Sequence, residues 1–321
     1  MTAAPRPAED HPLEEARRTA LAAARHAGIE VVDVHGPTDA RAVAALLDAV
    51  WGRDRTTGQV LTPEALTALA HSGCQVSLAR PTGASPRAAD DGEVLAATAA
   101  WLGRDPATGQ VTLHSHVTGV RAGWEGRGIG RAMKWYQRAW ALERDIATVR
   151  WTFDPLIRRN AVLNLALLGA SVAAYHVDLY GPMTDARNHA LPTDRVTAVW
   201  ELGAPRVRAA ASGRAATPDV AALQAGGAQI ALTVGDDGSP VRRDTDAPRR
   251  LLQVPPDIEQ LRAERAEVAL AWTHAIRAAL GRALEGGARI SGVSRDGWYV
   301  LAARDGVHEL AAGAGRRPDR P

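Results

Sequence analysis

The stretch that most limits how this chain can fold runs from Val111 to Arg144. It begins with VTLHSHVTGV, where alternating residues share a face as they do in a strand. RAGWEGRGIG follows, a turn with glycines at 123, 126, 128 and 130. IGRAMKWYQRAWALER then reads as a helix, with Ile129, Ala132, Met133, Tyr136, Ala139 and Trp140 on one stripe. Arg131, Lys134 and Arg138 are expected on the opposite side. Strand, glycine turn and helix in that order suit either a parallel βαβ unit or the end of an antiparallel meander, and the preceding chain decides between them. Helices are expected first, over 12–28, 38–52 and 62–73, with Thr38 or Asp39 capping the second and Thr62 the third. Strand-like runs follow at 74–80, 93–103 and 111–120, with Asp91-Gly92 in one of the turns between them. Helices followed by an antiparallel meander predict an α+β fold.

Downstream, 147–153 alternates as a strand, 158–170 reads as a short helix closed by Gly169, and 171–180 and 194–202 are two more strands. Residues 203–228, rich in small residues and arginine, read as a linker. A smaller C-terminal α+β extension is expected over 229–311. It would hold a hairpin of QIALTVG and RRLLQV about DDGSP, a long helix capped by Asp257, and strands ARISGVS and WYVLAA. The tails 1–9 and 312–321 are expected to be disordered, which leaves 10–202 as the main domain.

Composition narrows the function. The 321 residues are 46% hydrophobic, enough for a core, and the net charge is +2. Arginines are scattered among acidic residues, which argues against nucleic acid as a partner despite a pI near 9.0. Nearly all 38 basic residues are arginine; Lys134 is the one lysine. Cys74 is the one cysteine, so neither an internal disulfide nor a cysteine metal cluster is expected, and no metal is predicted. No apolar run reaches the ~18 residues of a membrane span, and the N-terminus does not read as a signal peptide. A cytoplasmic protein without membrane partners is expected.

The glycine turn points to an anion. Helix N-termini present unpaired N–H groups with partial positive charge, and glycines let a ligand approach that backbone. Arg127 and Arg131 add full charges. Two dinucleotide motifs fail: counted from Gly126, the last glycine of G-x-G-x-x-G is Arg131, and no G-x-x-x-x-G-K-[ST] string exists.

VTGVRAGWEGRGIGRAM resembles the acyl-CoA-binding signature of the GNAT superfamily of N-acyltransferases, [QR]-x-x-G-x-[GA]. The signature maps onto Glu125, Gly126, Arg127, Gly128, Ile129 and Gly130, with Glu125 departing from its first position. WTFDPL, Asn160, Asn164, Gly169, Tyr175, Tyr180 and LPTDR are similar to a bacterial subfamily of predicted acyltransferases. The resemblance implies the superfamily's fold, α/β/α layers around a mixed and mostly antiparallel sheet, with acetyl-CoA or another acyl-CoA as co-substrate and a small primary amine, such as an amino acid, as acceptor. Acetyl or succinyl transfer by direct attack on the thioester is expected. It also implies that the strands 111–120 and 147–153 part to admit the pantetheine arm. Val117, Thr118, Gly119 and Val120 would pair with that arm, residues 125–131 would hold the pyrophosphate, and Asn160 and Asn164 would flank the cofactor.

Candidate bases are His114 and His116, on one face of their strand, and Asp154, at the end of the next. A tyrosine that protonates the thiolate in many of these enzymes is absent; Leu165 stands four residues before Gly169. Tyr175, Tyr180 or water is expected to replace it. In the loop 181–195, Asp185, Arg187 and Arg195 are candidate substrate contacts. The C-terminal extension is expected to cover the acceptor site or to form a homodimer. A non-catalytic acyl-CoA-binding module is the alternative, motivated by Glu125 and the absent tyrosine.

Overall fold

The computed structural model describes residues 12–53, 58–83, 94–105, 107–181, 183 and 191–303. The expected disordered tails, the Asp91-Gly92 turn, Asp185 and Arg187 lie outside the described residues. Helix α1 (Pro12–Ala27) leads to β1 (Ile29–Asp33), α2 (Pro37–Trp51) and α3 (Pro63–His71). Thr62 caps α3, accepting from the Ala65 N–H at 3.2 Å. The cap of α2 is Gly36 with Pro37 at the first turn, rather than Thr38 or Asp39. Proline has no N–H to offer and suits the first helical position, so it sets the boundary one residue early.

The meander follows as β2 (Gln75–Pro81), β3 (Ala96–Arg104) and β4 (Val111–Val120), then α4 (Ile129–Leu142) and β5 (Thr148–Phe153). Helix α5 (Arg158–Ala161) continues as a π-helix over Val162–Leu167 before β6 (Ser171–His176) and β7 (Arg195–Glu201). A single α-helix was expected there. Gly169 ends the segment as expected, with φ 72° and a Cβ position only 2.8 Å from the Arg206 carbonyl oxygen. Any side chain at 169 would drive into the next helix.

The seven strands order as β1-β2-β3-β4-β5-β7-β6. All neighbours are antiparallel except β4 and β5, which run parallel. Helices α2 and α3 cover the β2–β4 half of one face with Val43, Leu47, Leu66, Val76, Leu78 and Val117. Helices α1, α4 and α5 cover the other face, which makes the sheet the middle of three layers.

Residues 203–228 are not a plain linker. They form α6 (Pro205–Ala211) and α7 (Val220–Ala225), and Val207 is fully buried in the main core. The C-terminal unit contains β8 (Gln229–Val234), β9 (Pro240–Arg242), β10 (Arg249–Gln253), α8 (Ile258–Glu264) and α9 (Ala266–Ile276). A π-turn over Arg277–Gly281 leads to α10 (Arg282–Glu285), β11 (Arg289–Val293) and β12 (Trp298–Ala302). Its sheet orders as β11-β12-β10-β8-β9. The hairpin at DDGSP joins β8 to the short β9, while RRLLQ returns parallel to β8 instead of closing that hairpin. The long helix is capped by Asp257 as expected, then breaks at Arg265 (φ −142°, ψ 62°). One apolar core runs from Trp135, Trp151 and Trp200 to Trp272, Tyr299 and Leu301, so the second sheet is bonded to the first by packing.

Candidate active site

Strands β4 and β5 are bridged at only two places, Leu113 with Val149 and His114 with Arg150. Beyond them β4 stays paired with β3 up to Val120, and β5 stays paired with β7 up to Phe153. The two strands therefore part from Ser115 and Trp151 onward, as the resemblance implied. Backbone groups on the β5-facing edge of Ser115–Val120 have no strand opposite, the requirement for pairing with an extended ligand. A bulge fixes the place of parting. Ala99 pairs with Val117 but Ala100 with Ser115, so His116 is the extra residue of β4. Bulges bend a strand and sharpen its twist.

The glycine loop stands at the open end of this gap. Gly128 caps α4 with φ 83°, and Gly126 has φ 75°. Both conformations favour glycine and leave the first N–H groups of α4 uncovered by side chains. Gly130 lies inside the helix, where a Cβ would meet only Val120 Cγ2 at 3.6 Å. Glu125, the departing residue, folds back to accept from the Gly123 N–H at 2.7 Å. Arg127 lies over the Trp124 ring, 4.6 Å from its centroid. A donor set of backbone amides and arginines, with one carboxylate turned aside, fits a diphosphate.

Both candidate histidines lie on one face, as alternation predicted. His114 and His116 stack on Trp101 at 5.2 and 4.4 Å between ring centroids. Burial lowers both pKa values from 6.5; Lys134 lowers His114 further and His114 lowers His116. Both rings are thus held as neutral imidazoles able to accept a proton. His116 is exposed. On the same side of β5, Thr152 Oγ1 lies 2.9 Å from the Tyr180 hydroxyl, and Tyr180 is 47% exposed. This face, lined also by Arg150 and Thr197, is the one that α4 and α5 leave open.

Other candidates are placed differently. Asp154 is 5% exposed and accepts from Leu156 N–H at 2.8 Å and Arg262 Nη2 at 2.5 Å, with Arg195 Nη1 at 3.5 Å. Its charge therefore ties β5 to β7 and to α8 of the C-terminal unit. Arg195, held between Asp154 and the Tyr180 ring, faces that ion pair as well as the cleft. Tyr175 lies on the edge strand β6, two strands from the gap. Its hydroxyl donates to Asp194 at 2.6 Å, and burial with that bond raises its pKa. Tyr180 is thus nearer the gap than Tyr175. Asn164 is buried at 4% and Asn160 half-buried, and the π-turn between α5 and β6 breaks the even four-residue spacing expected of them.

The main correction concerns α4. Lys134 and Arg138 are not on a solvent face: they are 6% and 0% exposed. Helix α1 packs along α4, and its Glu15 pairs with Arg138 at 3.1 Å while the Arg138 Nε bonds the Leu202 carbonyl at 3.0 Å. Helix α1 therefore buries Arg138, whereas Lys134 is buried against the sheet itself. Lys134 Nζ donates to Ser115 Oγ at 2.7 Å and Gln137 Oε1 at 3.0 Å, and lies 4.2 Å from the Trp151 ring centroid. Burial lowers its pKa from 10.5 to about 7. The sequence did carry a signal for it, as the one lysine in an arginine-rich chain.

Among the described residues no group of three or more His, Cys, Asp or Glu is arranged to hold a metal, and no helix is long and apolar enough to cross a membrane. No family model and no curated protein matches the sequence. Among solved structures, similarity is found to a putative acetyltransferase from Salmonella typhimurium determined with acetyl-CoA. It is 17% identical, covers 56% of this chain and 98% of that one, and has a TM-score of 0.42. The ribosomal-protein-S18-alanine N-acetyltransferase from Escherichia coli is 11% identical over 55% of this chain and 95% of that one, with a TM-score of 0.41. An N-acetyltransferase from Staphylococcus aureus Mu50 is 15% identical over 54% and 98%, with a TM-score of 0.42.

Proposed function

We propose that this chain is an acyl-CoA-dependent N-acyltransferase acting on a small primary amine, such as an amino acid. The observation that carries the reading is the parting of β4 and β5 after two bridges, with the glycine loop and the α4 N-terminus at its open end. An acyl-CoA supplies the activated thioester. Residues 126–131 bind its diphosphate through backbone N–H groups, and the free edge of Val117–Val120 orients the pantetheine. The amine approaches from the face lined by His114, His116, Thr152 and Tyr180, because α4 and α5 close the other. A neutral histidine, directly or through water, takes the amine proton, and a β4 backbone N–H polarises the thioester carbonyl.

The alternative, a non-catalytic acyl-CoA-binding module, draws on Leu165, which supplies no acid on the helix after β5. Calorimetry with acetyl-CoA and succinyl-CoA, followed by thiol release across a panel of amino acids and other amines, separates the two. Binding without thiol release for any amine favours the module; failure to bind either donor removes both readings.

A further inference from the structure

Lys134 is the buried ionisable group that this function has not used. Its Nζ bridges Ser115 on β4 and the Trp151 ring on β5, the first residue of each strand beyond the last bridge. It therefore stands at the apex of the gap, on the α4 side. Gln137 is fixed as its acceptor, because the Gln137 amide nitrogen donates to Gln75 Oε1 at 2.8 Å. Ser115 and Gln137 accept two of the three ammonium protons, and among the described residues no acceptor takes the third. Lys134 forms no ion pair among the described residues, so no carboxylate holds its proton in place. The titratable group facing it across β4 is His114, on the opposite side of the sheet.

The geometry points to Lys134 as the proton donor to the departing thiolate, acting from the α4 side while the amine enters from the open face. This inference rests on the acyltransferase reading. The amine nitrogen bonds to the acyl carbon, the C–S bond breaks, and its electron pair stays on sulfur. Nζ–H gives that sulfur a proton, leaving a thiol and a neutral lysine. The amine proton leaves to His116 or water on the open face, and lysine regains one from solvent before the next cycle. The burial that lowers Lys134 to about 7 makes the transfer downhill, because an ordinary thiol has a pKa of about 8.5. Arginine cannot release a proton at this pH, which gives the one lysine of the chain a chemical reason. It also answers the absent tyrosine.

The test compares two donors, acetyl-CoA and S-(4-nitrophenyl) thioacetate, whose acidic thiol leaves without a proton. Lys134→Met is expected to lower kcat with acetyl-CoA by ~100-fold or more, to keep calorimetric affinity for CoA, and to leave turnover of the nitrophenyl donor within about threefold. Lys134→Arg should show the same selective loss. Wild-type kcat with acetyl-CoA should fall above pH ~7 while the nitrophenyl rate does not; this comparison serves if the variants do not fold. Equal losses with both donors, acetyl-CoA turnover unaffected in Lys134→Met, or matching pH profiles would overturn the role. A wild-type protein that neither binds acetyl-CoA nor releases thiol would instead overturn the acyltransferase reading beneath it.

Discussion

The Tyr180 hydroxyl and Thr152 Oγ1 stand 2.9 Å apart on the sheet face opposite α4 and α5, beside the half that α2 and α3 cover. The pair joins the start of the β6–β7 connection to β5 just beyond the point where β4 departs. A tyrosine there borders the amine rather than the diphosphate. Tyr180→Phe should raise the KM for the amine ~3- to 10-fold, the worth of one hydrogen bond, and leave CoA affinity unchanged. Steady-state kinetics with calorimetry on the same variant checks this; a change in CoA affinity alone would place Tyr180 elsewhere in the reaction.

Tyr175 should behave otherwise. Its partner Asp194 is 4% exposed and also accepts from Arg277 Nε and Nη2 at 2.9 and 2.8 Å and from the Asp178 N–H at 3.0 Å. This cluster joins the β6 edge to the C-terminal helices. Asp194→Asn should destabilise by ~2 kcal/mol, less than for a fully buried pair because Arg277 is partly solvated. Tyr175→Phe should cost ~1 kcal/mol and leave kcat unchanged. Urea unfolding and turnover together decide, and a large kcat loss in Tyr175→Phe at intact stability would restore it as the acid.

How far the sequence foretold this site depends on what local pattern encodes. The meander, the helix caps at Thr62 and Asp257, the glycine loop and the shared face of His114 and His116 follow from alternation and turn chemistry within a few residues. The burial of Arg138 depends on α1, more than a hundred residues away, lying along α4, and that of Lys134 on Ser115 of β4 and Trp151 of β5. No helical periodicity in 129–144 reports those neighbours. The partners of Asp154 are equally remote: Arg262, in another sheet's helix layer, bonds the carboxylate of this candidate base. Tyr175 and Tyr180 look equivalent in sequence, and only the strand order β5-β7-β6 separates them.

The glycine loop gives a contrast of two substitutions. At Gly128 the backbone has φ 83°, where a β-branched residue is strained. Gly128→Val should therefore abolish CoA binding. Gly130→Val should do the same from the ligand side, since internal space at its Cβ is adequate. Glu125→Gln retains an oxygen for the Gly123 N–H and removes a negative charge beside the diphosphate, so CoA affinity should be equal or tighter. Calorimetry with CoA reads all three, and unchanged affinity in both glycine variants would refute the assignment.

The histidines predict the acid limb of the pH profile. A base must be unprotonated to act, and burial lowers both pKa values below 6.5. The active form therefore persists to lower pH than an ordinary histidine allows, and kcat/KM should fall only as pH drops through that lowered value. His116→Gln should remove the limb and most of the activity, with His114→Gln milder because His114 is the less exposed ring. An acid limb surviving in both variants would assign the base to another group.

Lys134 also makes a prediction about stability that needs no substrate. Its pKa is about 7 in the folded protein and near 10.4 when the chain is unfolded. Below pH 7 both states carry the proton, and the folded state bears the full penalty of a buried charge. Between the two values the unfolded chain binds more protons, so stability rises with pH by ~1.4 kcal/mol per unit. Above the unfolded value the two states are again equal in protonation. Lys134→Met lacks this dependence and fills the site with a hydrophobe of similar length. The variant should exceed the wild type in stability near pH 6, and its advantage should shrink by ~2–3 kcal/mol between pH 7 and 9. Urea midpoints of both proteins at a series of pH values measure the difference. A difference that stays constant with pH would mean that Lys134 keeps an ordinary pKa, through water or an anion reaching Nζ, and that its proton is not free for the thiolate.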